Sequence, residues 1–233
     1  MDNENVIYIY NEPFVRPAGT AYEPFSTELF TSLINENSTV MDIGANVGHY
    51  TVIAAKKAVN GSVISFEPDP SNFRLLKMNC LVNNLKNVKL YNLACYDRSE
   101  TVALWLRLHN YGVHSMGRLN LWYPKESVVA KPVDEVVKVK IDLAKIDAEG
   151  SEVKILRGMK ETIKMSPNIK LIIECNPLAL SRQGFSVNDL TLLLDEYGFT
   201  YSVILEDEHT TTDFAEVLIE RKGYVNLFCR KAT

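Results

Sequence analysis

The segment that most restricts the fold runs from Thr39 to Val59. A short apolar strand, Thr39 to Ile43, enters a turn carrying Gly44 and Gly48, and helical spacing follows from Val47 to Val59. A strand that passes through glycines straight into a helix is the opening βα bend of an α/β sheet. The pattern then repeats: Ser62 to Phe66 reads as a strand, Pro70 to Val82 as a helix with proline in its first turn, and Val88 to Leu93 as a strand. Leu143 to Ile146, Glu152 to Ile163, Ile169 to Ile173 and Val187 to Tyr197 continue as strand, helix, strand, helix, the last stopped by Gly198. Such alternation implies a parallel sheet with helices on both faces.

The flanking segments are less regular. Phe25, Leu29, Phe30 and Leu33 recur at helical spacing, which predicts a leading helix within an N-terminal extension over residues 1–38. Thr101 to Leu106 reads as a strand, whereas 107–132 has no clean period and reads as a substrate loop or lid. Phe199 to Leu205 and Tyr224 to Cys229 are the closing strands, joined by the polar run Glu206 to Asp213, which reads as a solvated connection, and by a short helix before Gly223. At 233 residues the chain is expected to form a single domain.

Charge and composition narrow the partners. Twenty-five basic against 29 acidic residues give a net charge of -4, so no global positive field draws in a phosphate backbone, and nucleic acid is disfavoured. The opening Met-Asp-Asn-Glu-Asn lacks the order of a secretion signal and no apolar run reaches membrane length, so a cytoplasmic protein without a membrane partner is expected. Cys80, Cys95, Cys175 and Cys229 form no CxxC pair and read as buried, reduced thiols.

The glycine turn carries the chemistry. Gly44 and Gly48 let a ligand approach the backbone, and the amides of the following helix offer donors to an anionic or zwitterionic group. Nineteen residues after Gly48, Glu67 ends the second strand in Phe66-Glu67-Pro68-Asp69, where a carboxylate can accept both hydroxyl protons of a ribose. The spacing D-x-G-x-x-x-G puts Asn46 where dinucleotide folds carry their second glycine. That glycine admits the pyrophosphate, so a nicotinamide dinucleotide fits less well than a nucleoside bearing a methionine-type moiety.

Several segments together resemble one family, the FkbM-type S-adenosylmethionine-dependent methyltransferases. Asp42-Ile43-Gly44-Ala45-Asn46-Val47-Gly48 with His49-Tyr50-Thr51 is similar to that family's first motif, and Lys145-Ile146-Asp147-Ala148-Glu149-Gly150-Ser151-Glu152 to its KIDVEGxE motif. Tyr22-Glu23-Pro24, Phe66-Glu67-Pro68, Asn92-Leu93-Ala94 and Ile172-Ile173-Glu174 add further likeness. The resemblance implies a class I methyltransferase fold, Rossmann-like, with a seven-stranded sheet having one antiparallel member. It implies S-adenosylmethionine as cofactor, with Asp42, Gly44, Asn46 and Gly48 around the methionine part, Glu67 on the ribose, and Asp69 and Ala94 near the adenine. Glu23, Thr51 and Asp147 join the cofactor-binding set.

If the acceptor is a hydroxyl, its proton must be accommodated, and Asp147, Glu149 and His114 are the candidate catalytic groups, with His109 a further loop histidine. For Asp147 the competing role is capping the helix that follows. A divalent ion on Asp147, Glu174 and Asn176 is a further arrangement open to adjacent strand ends, but the expectation adopted is no metal. Tyr111, Trp122 and Tyr123 could stack on a flat acceptor. The resulting expectation is O-methylation of a small molecule or glycan. The alternatives are an RNA methyltransferase, a nicotinamide-dependent oxidoreductase and a catalytically silent cofactor-binding module.

Overall fold

The computed structural model describes residues 23–105, 125–208, 210–213 and 223–232. Its centre is five parallel strands, β1 (Thr39–Ile43), β2 (Ser62–Phe66), β3 (Val88–Tyr91), β7 (Leu143–Ile146) and β8 (Lys170–Cys175). Past β8, β11 (Val225–Lys231) runs antiparallel, inserted between β8 and β9 (Phe199–Leu205), and β10 (Thr210–Asp213) folds back on β9. The order across the sheet is β10-β9-β11-β8-β7-β1-β2-β3.

The sheet therefore has eight strands and two antiparallel members, where seven strands with one antiparallel member were expected. The additional strand lies in the run expected to be a solvated connection. Thr210, Thr211 and Thr212 pair in register with Leu205, Ile204 and Val203, because β-branched threonine suits an edge strand even where hydropathy gives no signal. In the same run, the Glu206 carboxylate accepts bonds from the amides of Phe25 at 2.9 Å and Ser26 at 3.1 Å, and from the Ser26 hydroxyl, fixing the start of the leading helix α1 (Pro24–Ser32). A carboxylate at a helix N-terminus satisfies amides that the helix itself leaves open.

Side chains alternate between two cores, as a pleat requires. Met41, Ile64, Ala144, Ile146 and Ile173 face one layer, packed with Ile155, Leu156 and Leu194 from α5 (Glu152–Gly158) and α8 (Val187–Glu196). Val40, Val63, Leu143 and Ile172 face the other, against Phe30 of α1 and Tyr50, Ala54 and Ala55 of α2 (His49–Lys57). Helices thus cover both faces, and α3 (Pro70–Val82) adds Leu76 and Cys80 against Ala45. All four cysteines are free and buried. Among the described residues, no helix is long and apolar enough to cross a membrane.

A second sheet has the order β4-β6-β5, formed by β4 (Ala94–Cys95), β5 (Glu100–Trp105) and β6 (Lys125–Lys131). Strand β6 falls in the segment expected to be a loop. Its inward residues are only Val128 and Ala130, too short an alternation to stand out among polar neighbours. The span expected to be one helix, Glu152 to Ile163, is divided at Met159 into α5 and α6 (Lys160–Met165). The short helices α4 (Val133–Val136) and α7 (Pro177–Arg182) complete the set.

Candidate active site

Strand order reverses at β1: the chain passes to β2 and β3 on one side and later to β7 and β8 on the other. Ligands of open α/β sheets bind at such a point, outside the carboxyl ends of the strands. A cleft opens there, lined by Gly44, Asn46, Glu67, Ala94, Asp147 and Glu149, with Ile43, Phe66, Leu93, Leu104 and Ile155 as apolar wall.

The turn after β1 is held from both neighbours. The amides of Gly44 and Ala45 donate to the Phe66 carbonyl at 3.0 and 2.9 Å, and the Asp147 amide donates to the Ile43 carbonyl at 3.0 Å. Gly44 has φ +81°, and a Cβ there would lie 1.8 Å from the Asp147 carbonyl oxygen. Glycine is required here first by the junction of β1 with β7, so the need for ligand access is not the only constraint. Gly48 opens α2 at φ +99°, where a Cβ would meet Leu76 at 2.6 Å. Asn46 also adopts a left-handed φ of 51°, a conformation asparagine tolerates better than most residues.

That conformation aims the Asn46 amide at Glu67, donating to Oε2 at 2.7 Å, while the Asp69 amide donates to Oε1 at 2.9 Å. Glu67 is 5% exposed, and burial pushes its carboxyl up to about 8 against the pull of those two amides. The Asn92 side-chain amide donates to the carbonyls of Glu67 and Pro68 at 2.8 and 3.0 Å, fixing the backbone at the end of β2. Asp69 is placed as the N-cap of α3, its Oδ1 accepting from Ser71 and Asn72 at 2.7 and 2.8 Å, and it is not among the residues lining the cleft.

Asp42 and Thr51 lie behind the turn. The Thr51 hydroxyl donates to Asp42 at 2.6 Å and is 2.8 Å from the Ser65 hydroxyl, a buried link joining β1, β2 and α2. Burial pushes the Asp42 carboxyl up to about 6, with the Thr51 hydrogen bond and Lys145 opposing. Glu23 lies to the side, accepting from the Tyr50 hydroxyl at 2.8 Å.

The far end of the cleft is organised by a residue that sequence reasoning left without a role. Lys145 is fully buried; its Nζ lies 3.0 Å from Asp147 Oδ2, donates to Asn226 Oδ1 at 3.1 Å, and sits 5.3 Å from the centre of the Tyr50 ring. Burial pulls this ammonium down, but Asp147, Glu23 and Glu174 outweigh it and leave the group above the usual lysine range. The available signal was a lone cation in the otherwise apolar strand Leu143-Ala144-Lys145-Ile146.

Asp147 does not cap the helix after it: the N-cap of α5 is Ser151, which makes no side-chain cap bond, and Glu152 folds back to accept from the amides of Ala148 and Gly150, each at 3.1 Å. Glu149 sits on that loop at φ 49°. Glu174, the penultimate residue of β8, is only 5% exposed, and burial, reinforced by Asp147 and Glu149, raises its carboxyl well above the ordinary range. One oxygen from each of Asp147, Glu149 and Glu174 lies within 4.8 Å of the others. Asn176, weighed above as an ion ligand, instead caps α7, accepting from Ala179 at 3.1 Å. His109, Tyr111, His114, Trp122 and Tyr123 lie outside the described residues.

Comparison with known proteins bears on the family and the fold. Residues 42–201 match the methyltransferase FkbM domain. Methyltransferase 1 of Beauveria bassiana is 24% identical over 193 residues, covering 81% of this chain and 73% of its own length. A methyltransferase FkbM structure from Methylobacillus flagellatus superposes with a TM-score of 0.57 at 15% identity, over 84% of this chain. The match spans 44% of that protein's length. A Streptococcus mutans protein solved in complex with SAH superposes at 0.56 with 13% identity, covering 90% of this chain and 97% of its own. Likeness at such identities speaks for the fold, a class I methyltransferase sheet, while the domain match covers well over half of the sequence. The chain belongs to the FkbM methyltransferase family.

Proposed function

We propose that this protein transfers a methyl group from S-adenosylmethionine to a hydroxyl oxygen of a small molecule or glycan. The observation that carries this reading is a cleft at the strand-order reversal with a buried carboxyl at one end and a carboxylate cluster at the other. The residues suit such a nucleoside. Glu67 offers acceptors to ribose hydroxyls, Phe66, Leu93, Ala94 and Leu104 offer apolar surface to a base, and the Asp147 side faces a positive sulfonium with negative charge. When bound, S-adenosylmethionine supplies a methyl already activated by its sulfonium leaving group.

The protein's own task is then to orient an acceptor and deal with its proton. Asp147, 24% exposed at the cleft and held by Lys145, is the group we assign to receive it, with Glu149 beside it. An acidic rim disfavours a polynucleotide acceptor, and the net charge of -4 points the same way.

Thermal denaturation of the full chain with S-adenosylmethionine, with a nicotinamide dinucleotide and without additive tests the reading. The first should raise Tm, because a ligand of the native state stabilises it by mass action, and the second should not. Labelled methyl should then appear on hydroxylated acceptors and not on transfer RNA. A Tm shift with the dinucleotide alone would overturn the proposal, as would label transfer restricted to RNA.

A further inference from the structure

We infer that Asp147, Glu149 and Glu174 together bind a hard divalent cation, of the magnesium, manganese or calcium type, at the acceptor end of the cleft. Three carboxylates provide three oxygen donors within 4.8 Å of one another. Two ligands of one ion can be no further apart than twice the bond length, about 4.2 Å for magnesium and about 5 Å for calcium, so these oxygens already fit a calcium-sized coordination sphere and need to close by at most about 0.6 Å to fit a magnesium-sized one. An all-oxygen donor set without thiolate or imidazole selects hard ions.

A second observation points to a missing partner. Glu174 is 5% exposed, and its Oε2 is buried without any hydrogen-bond partner. Buried polar atoms are nearly always satisfied by protein, water or an ion. Here the orphaned atom belongs to a carboxyl that already contributes to the cluster.

The local charge agrees. Glu174 is opposed by Asp147, Glu149 and Glu152 and favoured by Lys145. One ammonium cannot balance all of these carboxyls once they ionise, and a doubly charged ion would supply the missing positive charge. Lys145 engages only one of the two oxygens of Asp147, so it does not use up that carboxylate. Under the methyl-transfer reading, on which only its purpose rests, the ion would hold an acceptor oxygen and ease loss of its proton.

The test is titration of the full chain with manganese(II) alone, following the free ion by electron paramagnetic resonance and the heat by calorimetry. One saturable site is expected. Glu149→Gln and Glu174→Gln should each weaken it by about tenfold or more, whereas Glu161→Gln, an exposed residue paired with Lys164, should leave it unchanged. No saturable site up to millimolar manganese would overturn the inference, as would a site indifferent to both substitutions. If Glu174→Gln fails to fold, Glu149→Gln on its partly exposed loop decides the matter alone. Thermal shifts with S-adenosylmethionine on the same preparations keep the two readings apart. Manganese binding without a nucleoside shift retains this site and removes the methyl-transfer reading, and the reverse result removes the ion alone.

Discussion

The two ends of the cleft treat carboxylates in opposite ways. At the β2 end, Glu67 stands with each oxygen held by a backbone amide, Asn46 on one and Asp69 on the other. At the β7 and β8 end, Asp147, Glu149 and Glu174 crowd together around one buried ammonium, and Glu174 keeps an oxygen with no partner. The first arrangement is complete without a ligand, and in the methyl-transfer reading proposed above it would position one. The second gathers carboxyls that resist ionising together and leaves one buried oxygen unsatisfied, and such an arrangement is suited to a reacting or cation-binding role.

Removing the Lys145 ammonium should break the second end most severely. Lys145→Met would leave Asp147, Glu23 and Glu174 facing one another without a counter-charge, and the expected loss of stability is about 3–5 kcal/mol. Urea denaturation measures it; a loss below about 1 kcal/mol would mean that these carboxylates are neutral in the native state and that the contrast is false. At the other end, Glu67→Ala should weaken S-adenosylmethionine binding by about 1.5–3 kcal/mol. Calorimetry should show this while manganese binding persists.

The smallest effect concerns protons. The Glu67 carboxyl is pushed from 4.5 up to about 8 on folding, so between those values the native chain holds a proton that the unfolded chain releases. Stability present below 4.5 therefore declines as pH rises through about 8. Glu67→Gln should flatten that decline by roughly 1–3 kcal/mol, read from urea midpoints at successive pH values. Asp42 and Glu152, pushed up to about 6 and 7, contribute in the same direction and remain in the variant, so the difference between the two curves isolates Glu67. Identical slopes would show that Glu67 is ionised in both states.

Much of this was legible before any coordinates. The bounds of β1, β2, α3, β7 and β9 coincide with the apolar and helical runs, since each is continuous and ends on a glycine, a proline or a polar residue. Glu67, Ala94, Asp147 and Glu149 line the cleft because strand ends at a reversal of strand order must converge there. What the spacing alone conveys less well is direction. Asp42 is one residue from Ile43, and the pleat turns it away from the cleft toward α2. Asp69 and Asn176 carry acceptors that the nearby helix N-termini claim first. Lys145 and Glu206 act through residues far along the chain, Asn226 for the one and Ser26 for the other, pairings that no local pattern encodes. Gly44 shows a related limit. Its glycine was read for a ligand, yet the first atom a side chain would strike is the Asp147 carbonyl, so Gly44→Val would report on folding before it reported on binding.

The pairing of Trp105 with Lys125 has a consequence for how such a protein can diversify. Two antiparallel strands deliver both ends of the intervening stretch, 106–124, to neighbouring positions, one residue beyond Leu104 in the cleft wall. A segment joining those two anchors can change length at small entropic penalty, since each doubling of a flexible connection between fixed ends adds only about 0.6 kcal/mol. Chain length between those two anchors can therefore vary while the sheet and its carboxylates stay as they are.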